Sequence, residues 1–499
     1  MVFIILTAVF VVSCTNDETD DEPLQQTTAE EVLDDNNDKA VSDPTNNIDQ
    51  PQRIPPGLPG INWGGHIFKI LTDTHAGRVW TIRDIMSEEQ TGDPINDAVY
   101  LRNLYLEARY NFTVEQLFPG EGIENNAMNM LRRAAAAGDS YFDAVSVSLI
   151  QAARMAQEGL LLDLFDVHYI DFEKPWWDQN AVEGISVGNR LFFASGDFSV
   201  ANKDALTAFL FNKQLIKDLD LTDPYELVRD GLWNWTEVYE MARTGAADLN
   251  GNGLMEWDID RFGLVPGEYS MFWPVMHGSG VRVTAKDSDD LPFLVYSNET
   301  TWTAGNVYLE FHQADFTGGN PSIVSLDDDD NTAETTFSEN RGLFLIGYMR
   351  SVENLRGMDT DFGILPMPRL NENQQIWGHS IDTFHGQGIA VPAFHDLNTA
   401  DRAGFMLEAL SAESMYTVIP AYYDVQLTGK LTRDDESSEM LDIIFGSVVW
   451  DTGYIYDWFG LWGGGPGTYT YASASSYERQ LGRIEAAMQA AVDVFADLE

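Results

Sequence analysis

Between residues 66 and 158 the apolar residues change period five times, and this alternation constrains the fold more than any other feature of the chain. His66-Ile67-Phe68-Lys69-Ile70-Leu71 reads as a buried strand, and Phe112–Leu117 and Tyr141–Val147 read as two more. Between them, Asn96–Tyr110 places Ala98, Leu101, Leu104, Tyr105 and Ala108 on one helical face, and Asn125–Ala137 forms a helix ended by Gly138. Gln151–Glu158 is a short helix closed by Gly159. Strands that alternate with helices lie parallel in one sheet with helices covering it, so the class is α/β.

The pattern continues downstream. Leu206–Phe211 runs into a helix through Asp218, and Phe262–Val265 and Phe362–Leu365 are short buried strands. Asn234-Trp235-Thr236-Glu237 has the form of a capping box, which assigns Trp235 to the first turn of a packed helix. Arg402–Leu410 and Tyr477–Leu498 are amphipathic helices. No repeat of 20–50 residues is visible, which argues against solenoids and propellers.

The N-terminus reads differently. Val2–Val12 is apolar but too short to span a bilayer, and it ends at Ser13-Cys14, the chain's one cysteine. This is the form of a lipoprotein signal, 1–13, cleaved before a lipid-modified Cys14, although a charged leading region is missing. Residues 14–61 are polar and acidic and read as a disordered tether. The formal net charge of -50 excludes a nucleic-acid partner, and the 8 Lys and 21 Arg against 79 acids suit a protein facing salty or alkaline water.

Several segments, in order, resemble the family 1 extracellular solute-binding proteins, the group that includes maltose-binding protein. They are Thr91–Tyr100 with Tyr110-Asn111, Tyr141–Val145, Gly188–Ala194 with Ser195-Gly196-Asp197, Phe211-Asn212-Lys213, Trp233-Asn234-Trp235, Phe362–Pro368, Glu408-Ala409-Leu410 and Pro420–Tyr423. The resemblance covers about residues 65–499. It implies a two-lobed, type II periplasmic-binding-protein-like fold with ligand held between α/β lobes. By analogy the chain crosses near Ala205, returns between Gly378 and Ala390, and crosses again near Ala412. Lobe one would be 62–205 with 378–411, and lobe two 206–377 with 412–499. The implied function is capture of a carbohydrate, most simply an oligosaccharide, for the membrane permease subunits of an ABC importer. The receptor would be a monomer, non-enzymatic and extracytoplasmic, held to the membrane lipid through Cys14.

The residues themselves allow other readings. A glycoside hydrolase needs only a pair of carboxylates, and this chain has many. A binding protein for a non-sugar solute and a tethered adhesion module also remain open. Against enzymes in general, there is no Gly-x-Ser-x-Gly elbow, no His-Glu-x-x-His and no Walker-type loop, and the eight His have no metal-ligand spacing. Sugars present CH faces to aromatic rings and hydroxyls to carboxylates and amides. On that chemistry the expected ligand-binding residues are Asp73 and Trp80 after the first strand, Ser146 and Ser148 ending the third, and Asp197 before the first crossing. Tyr269 and Trp273 precede a Gly-rich turn, Trp377 stands at the return crossing, and Tyr423 and Trp458 lie in the C-terminal part. The resemblance to maltose-binding protein makes Trp273 a candidate sugar-stacking ring, against a reading as core. No cofactor is required. One structural calcium is the candidate ion: Asp248, Asn250, Asn252 and the Leu254 carbonyl follow the first half of a calcium loop. Position twelve is Ile259, flanked by Asp258 and Asp260. The acidic run within Leu326–Asp330 reads as a solvated loop.

Overall fold

The computed structural model describes residues 53–73, 82–119, 126–139, 141–267, 271–318, 332–427, 435–460 and 472–497. Cys14, the signal and most of the tether, Trp80, Tyr269 and the acidic run at 326–330 therefore lie outside the described residues. No helix among those described is long and apolar enough to cross a membrane.

The first sheet is the one the alternation predicts. β1 (His66–Thr72) pairs in parallel with β2 (Phe112–Leu117) on one side and with β3 (Ala144–Ser148) on the other. A distant strand, β10 (Gln387–Ala390), adds to β3 antiparallel, giving the order β10-β3-β1-β2. Helices α1 (Pro94–Tyr110), α2 (Asn126–Ala137) and α3 (Leu149–Gln157) follow the strands. The start of α1 is fixed locally: Asp93 accepts the Asn96 N–H, Pro94 takes the first turn, and Asn111 at φ 53° ends the helix in the left-handed region. A short helix α4 (Gln179–Ile185) completes what this lobe brings to the site.

The second sheet has the order β5-β8-β4-β9, from β4 (Thr207–Asn212), β5 (Phe262–Pro266), β8 (Gly342–Tyr348) and β9 (Phe362–Leu365). A small hairpin of β6 (Thr284–Lys286) and β7 (Pro292–Leu294) stands apart. The strands β4, β5, β8 and β9 are buried almost throughout, which explains why they read as continuous apolar runs. Helix α5 (Trp235–Gly245) begins as the capping box requires, with Asn234 accepting the N–H of Thr236 and of Glu237, and Trp235 is 2 % exposed.

The sheets meet at a three-stranded hinge. Leu206 bridges Ile381 antiparallel, and the Thr207 N–H donates to the Ser380 carbonyl at 2.9 Å. Residues 447–449 form the third strand through the parallel bridge of His379 to Val448. No crossing occurs at Ala412, which lies inside α8 (Leu397–Ser414). The next helix, α9 (Val418–Leu427), still packs on α1, and only α10 (Asp435–Gly446) reaches β9 of the second sheet. The last helix, α11 (Leu481–Asp497), returns to α3, and its Phe495 stacks on Phe192 at 4.7 Å. Apolar faces at the far end of the chain thus close over both sheets, and a helix's amphipathic pattern does not say which sheet its face will cover.

Candidate functional site

Open α/β sheets bind ligands beyond the carboxyl ends of their strands. In the first lobe β1 and β3 end at Thr72-Asp73 and at Ser146–Ser148. The Ser148 N–H donates to the Asp73 carboxylate at 2.8 Å. Asp73 is 6 % exposed, and burial pushes its carboxyl up to about 7. Ser146 is fully buried on the neighbouring register, opposite Thr72, and its hydroxyl has no partner among the described residues. Asp73, Ser146 and Ser148 are therefore brought together at the ends of β1 and β3.

The turn at 382–386 ties this cluster to the second lobe. The N–H groups of Leu149 and Ile150, at the start of α3, donate to the carbonyls of Gly386 and Thr383. Asp382 accepts the N–H of Phe384 and of His385, and it also takes the Tyr348 hydroxyl at 2.9 Å. The His385 ring lies 3.0 Å from the same carboxylate. Tyr348 ends β8, so the carboxyl ends of β3 and β8 share one polar floor. Beside it, Arg83 of the first lobe contacts Glu353 on α7 (Met349–Asn354) of the second at 3.1 Å. Asp204, at the hinge, holds both Arg83 at 3.3 Å and Arg350 at 3.1 Å. Sequence reasoning missed Arg83, Tyr348, Glu353, Asp382 and His385. The signal was the apolar run Gly342–Ile346 ending at a tyrosine, which marks a strand with a polar tip.

The other predicted residues line separate hollows. Ile381 bridges Leu206 antiparallel, whereas Asp382 begins the turn at 382–386. Ile381 and Leu206 face a hollow of about 190 Å³, which Asp197, Lys203, Tyr423 and Trp450 also line. Asp197 pairs with Lys203 at 3.1 Å, and Asp178 accepts the Trp450 indole N–H at 3.1 Å. The path through Ser195-Gly196-Asp197 requires glycine, because a Cβ on Gly196 would meet the Trp176 carbonyl at 2.3 Å. Behind it the indole N–H groups of Trp176 and Trp177 donate to Glu408 at 3.1 and 2.8 Å, and burial raises that carboxyl to about 7. Glu408 thus acts as the internal tie of the lobe-one motifs. Trp377 is half-buried with Arg369 over its ring at 4.6 Å, and it lines a second hollow of about 670 Å³ next to the first.

Two aromatic assignments are corrected. Trp273 is 6 % exposed in α6 (Phe272–Gly278), with Tyr454, His277 and Phe459 at 4.8, 5.0 and 5.9 Å from its ring. Trp458 is 1 % exposed and stacks on Tyr456 at 5.7 Å. In this conformation both rings belong to the packing. A bulky cluster before a Gly-rich turn is as good a core plug as a ligand platform, and burial decides between them.

The calcium-like loop is ordered by its own backbone. Asp248 accepts the N–H groups of Gly251 and Gly253, at 2.6 and 2.7 Å. Asn250 and Asn252 both direct their amides to Glu256, which the sequence reading did not include. Asp260 is corrected: it is fully buried and engaged by the N–H groups of Leu249 and Glu256 at 2.8 and 2.7 Å. Among the described residues no group of three or more His, Cys, Asp or Glu is arranged to hold a metal ion.

No protein-family model and no curated protein matches the chain. Solved structures do. The ABC substrate-binding protein Lmo0181 from Listeria monocytogenes, in complex with cycloalternan, superposes with a TM-score of 0.50 at 12 % identity, over 84 % of this chain and 99 % of that one. A cyclo/maltodextrin-binding protein complexed with maltotetraose gives 0.50 at 13 %, over 86 % and 96 %. UspC of M. tuberculosis gives 0.50 at 12 %, over 84 % and 100 %. At such identities the likeness speaks to architecture, and it agrees with the two sheets and the hinge described above. The chain has the two-lobed α/β fold of the ABC substrate-binding proteins, in keeping with the family 1 resemblance of its sequence motifs.

Proposed function

We propose that this protein captures a carbohydrate outside the cytoplasm and delivers it to the permease subunits of an ABC importer. The observation that carries the reading is the polar floor shared by the ends of β3 and β8, Asp73-Ser148 on the first lobe and Tyr348 on the second, with Asp382 and His385 at the crossing between them. Hydroxyl-rich ligands need such mixed donors and acceptors, and lobe closure brings both sets onto one ligand. Structures of this fold were determined with cycloalternan and with maltotetraose bound, and both are described as binding proteins. A receptor takes up saccharide stoichiometrically and returns it unchanged. A thermal-shift screen over saccharides, followed by a reducing-end assay on the hits, tests this: a stabilising sugar that is not hydrolysed supports it. Turnover would make the protein a glycoside hydrolase, and stabilisation only by a non-sugar solute would change the ligand class.

Two further readings belong to this proposal. Cys14 carries the lipid that holds the receptor at the membrane, and Cys14→Ser should release it to the soluble fraction. The loop at Asp248–Glu256 holds a structural calcium, with oxygens of Asp248, Asn250 and Asn252 and the Leu254 carbonyl as in the sequence reading, and Glu256 in place of Asp260.

A further inference from the structure

The hollow of about 670 Å³ is bordered by residues 447–449 of the hinge and shares no lining residue with the floor at Tyr348 and Asp382. Asn180 and Glu183 of α4 line it from the first lobe, and Arg282, Gln375, Trp377 and Asp442 from the second. Arg282 is the decisive group. Among the described residues it has no ion pair, and its one hydrogen bond goes to the adjoining Val281 carbonyl at 2.8 Å. The carboxylate that acts on it, Asp451, is already taken up by the N–H of Val283 and the hydroxyl of Thr284. Burial holds the guanidinium below the ordinary arginine range.

In a chain with 79 acids and 29 cations, a partly desolvated arginine without a carboxylate is conspicuous. Such a charge costs free energy that an incoming anion recovers. The planar fork of a guanidinium matches a carboxylate through two parallel hydrogen bonds. Trp377, half-buried with Arg369 over its ring, adds aromatic surface to the same wall, suited to the CH face of a sugar ring. Asp442 repels a second anion but accepts hydroxyl donors, and Asn180 and Gln375 can do both. Glu183 lies in the field of Lys286, whose ammonium pairs with Asp290 at 2.9 Å and donates to the Glu183 main-chain carbonyl.

We propose that this hollow is a second binding site, for a hydroxylated carboxylate of the hexuronate kind, with Arg282 holding the carboxylate. It is separate from the saccharide cleft and spans both lobes. The probe set is D-glucuronate, D-glucose and glucose 6-phosphate, titrated against the full chain while tryptophan emission is followed. Glucuronate should bind at least about tenfold more tightly than either of the others. Arg282→Gln should weaken glucuronate by about tenfold or more, and Arg282→Lys should weaken it less, since the charge stays but the fork is lost. Equal melting temperatures of the variants and wild type, expected because Arg282 bonds only to its neighbour, show that folding is intact. Glucuronate binding that Arg282→Gln leaves unchanged, no binding, or a preference for the phosphate would overturn the proposal.

Discussion

The guanidinium of Arg83 stands 3.1 Å from the carboxylate of Glu353, and this pair joins the two lobes. Asp204 at the hinge extends it to Arg350, so two cations and two anions form one net across the interface. The four side chains are 5–26 % exposed, so solvent screens the net only in part. Glu353→Gln should loosen the contact between the lobes and enlarge the radius of gyration in solution scattering, and high salt should do the same to wild type. A double-mutant cycle of Arg83→Met with Glu353→Gln should give a coupling of about 1 kcal/mol. Zero coupling with unchanged scattering would show that the pair does not hold the lobes.

Asp73 predicts a pH dependence with a definite sign. Burial lifts its carboxyl to about 7, while an aspartate in the unfolded chain titrates near ~4. Between these values the folded protein keeps a proton that the unfolded chain has lost. Stability contributed by the protonated form is therefore full below about pH 4 and is lost as pH rises to about 7, at about 1.4 kcal/mol per pH unit for one group. Glu408, also lifted to about 7, titrates in the same window. Urea melts at several pH values should show this fall, and Asp73→Asn should reduce its slope. A slope that the substitution leaves intact would remove Asp73 from the account.

The loop at Asp248 gives a test of the ion. Calcium binding only to the folded chain raises its apparent stability. A chelator should lower the melting temperature of wild type, and Asp248→Ala or Glu256→Gln should abolish that sensitivity. Melting that ignores chelator leaves a loop closed by Asp248 on its own backbone N–H groups.

The first sheet was legible because its strands and helices follow each other directly, so local period and caps such as Asp93 and Asn234 suffice. The Asp73-Ser146-Ser148 cluster was legible for the same reason: it lies at strand ends that the period defines. What joins residues far apart in sequence was not. Arg83 meets Glu353 across 270 positions, and Asp382 reaches Tyr348 only because β8 and the return crossing end together. The placement of α9 and α11 on the first lobe likewise depends on which apolar surface is left uncovered, a property of the assembled fold. Asp197 and Tyr423 were picked for chemistry alone, and they line the hollow at Leu206 and Ile381 and not the floor at Tyr348.

Trp273 is where sequence and structure give opposed, measurable answers. As a ligand platform, its replacement by alanine would weaken saccharide binding by about 1–3 kcal/mol and leave the fold alone. As a core residue, the same change removes an indole packed on Tyr454, His277 and Phe459 and leaves a cavity. Large-to-small changes of this kind cost about 3–5 kcal/mol. Its Nε1–H has no partner among the described residues, so Trp273→Phe removes an unsatisfied donor along with one ring and should cost much less than alanine. We therefore expect Trp273→Ala to lose about 3–5 kcal/mol in a urea melt, with near-normal saccharide affinity in the fraction that remains folded. Trp273→Phe should fall between it and wild type. A normal melt with strongly reduced affinity would return the ring to the cleft and show that it swings out of the core when ligand binds.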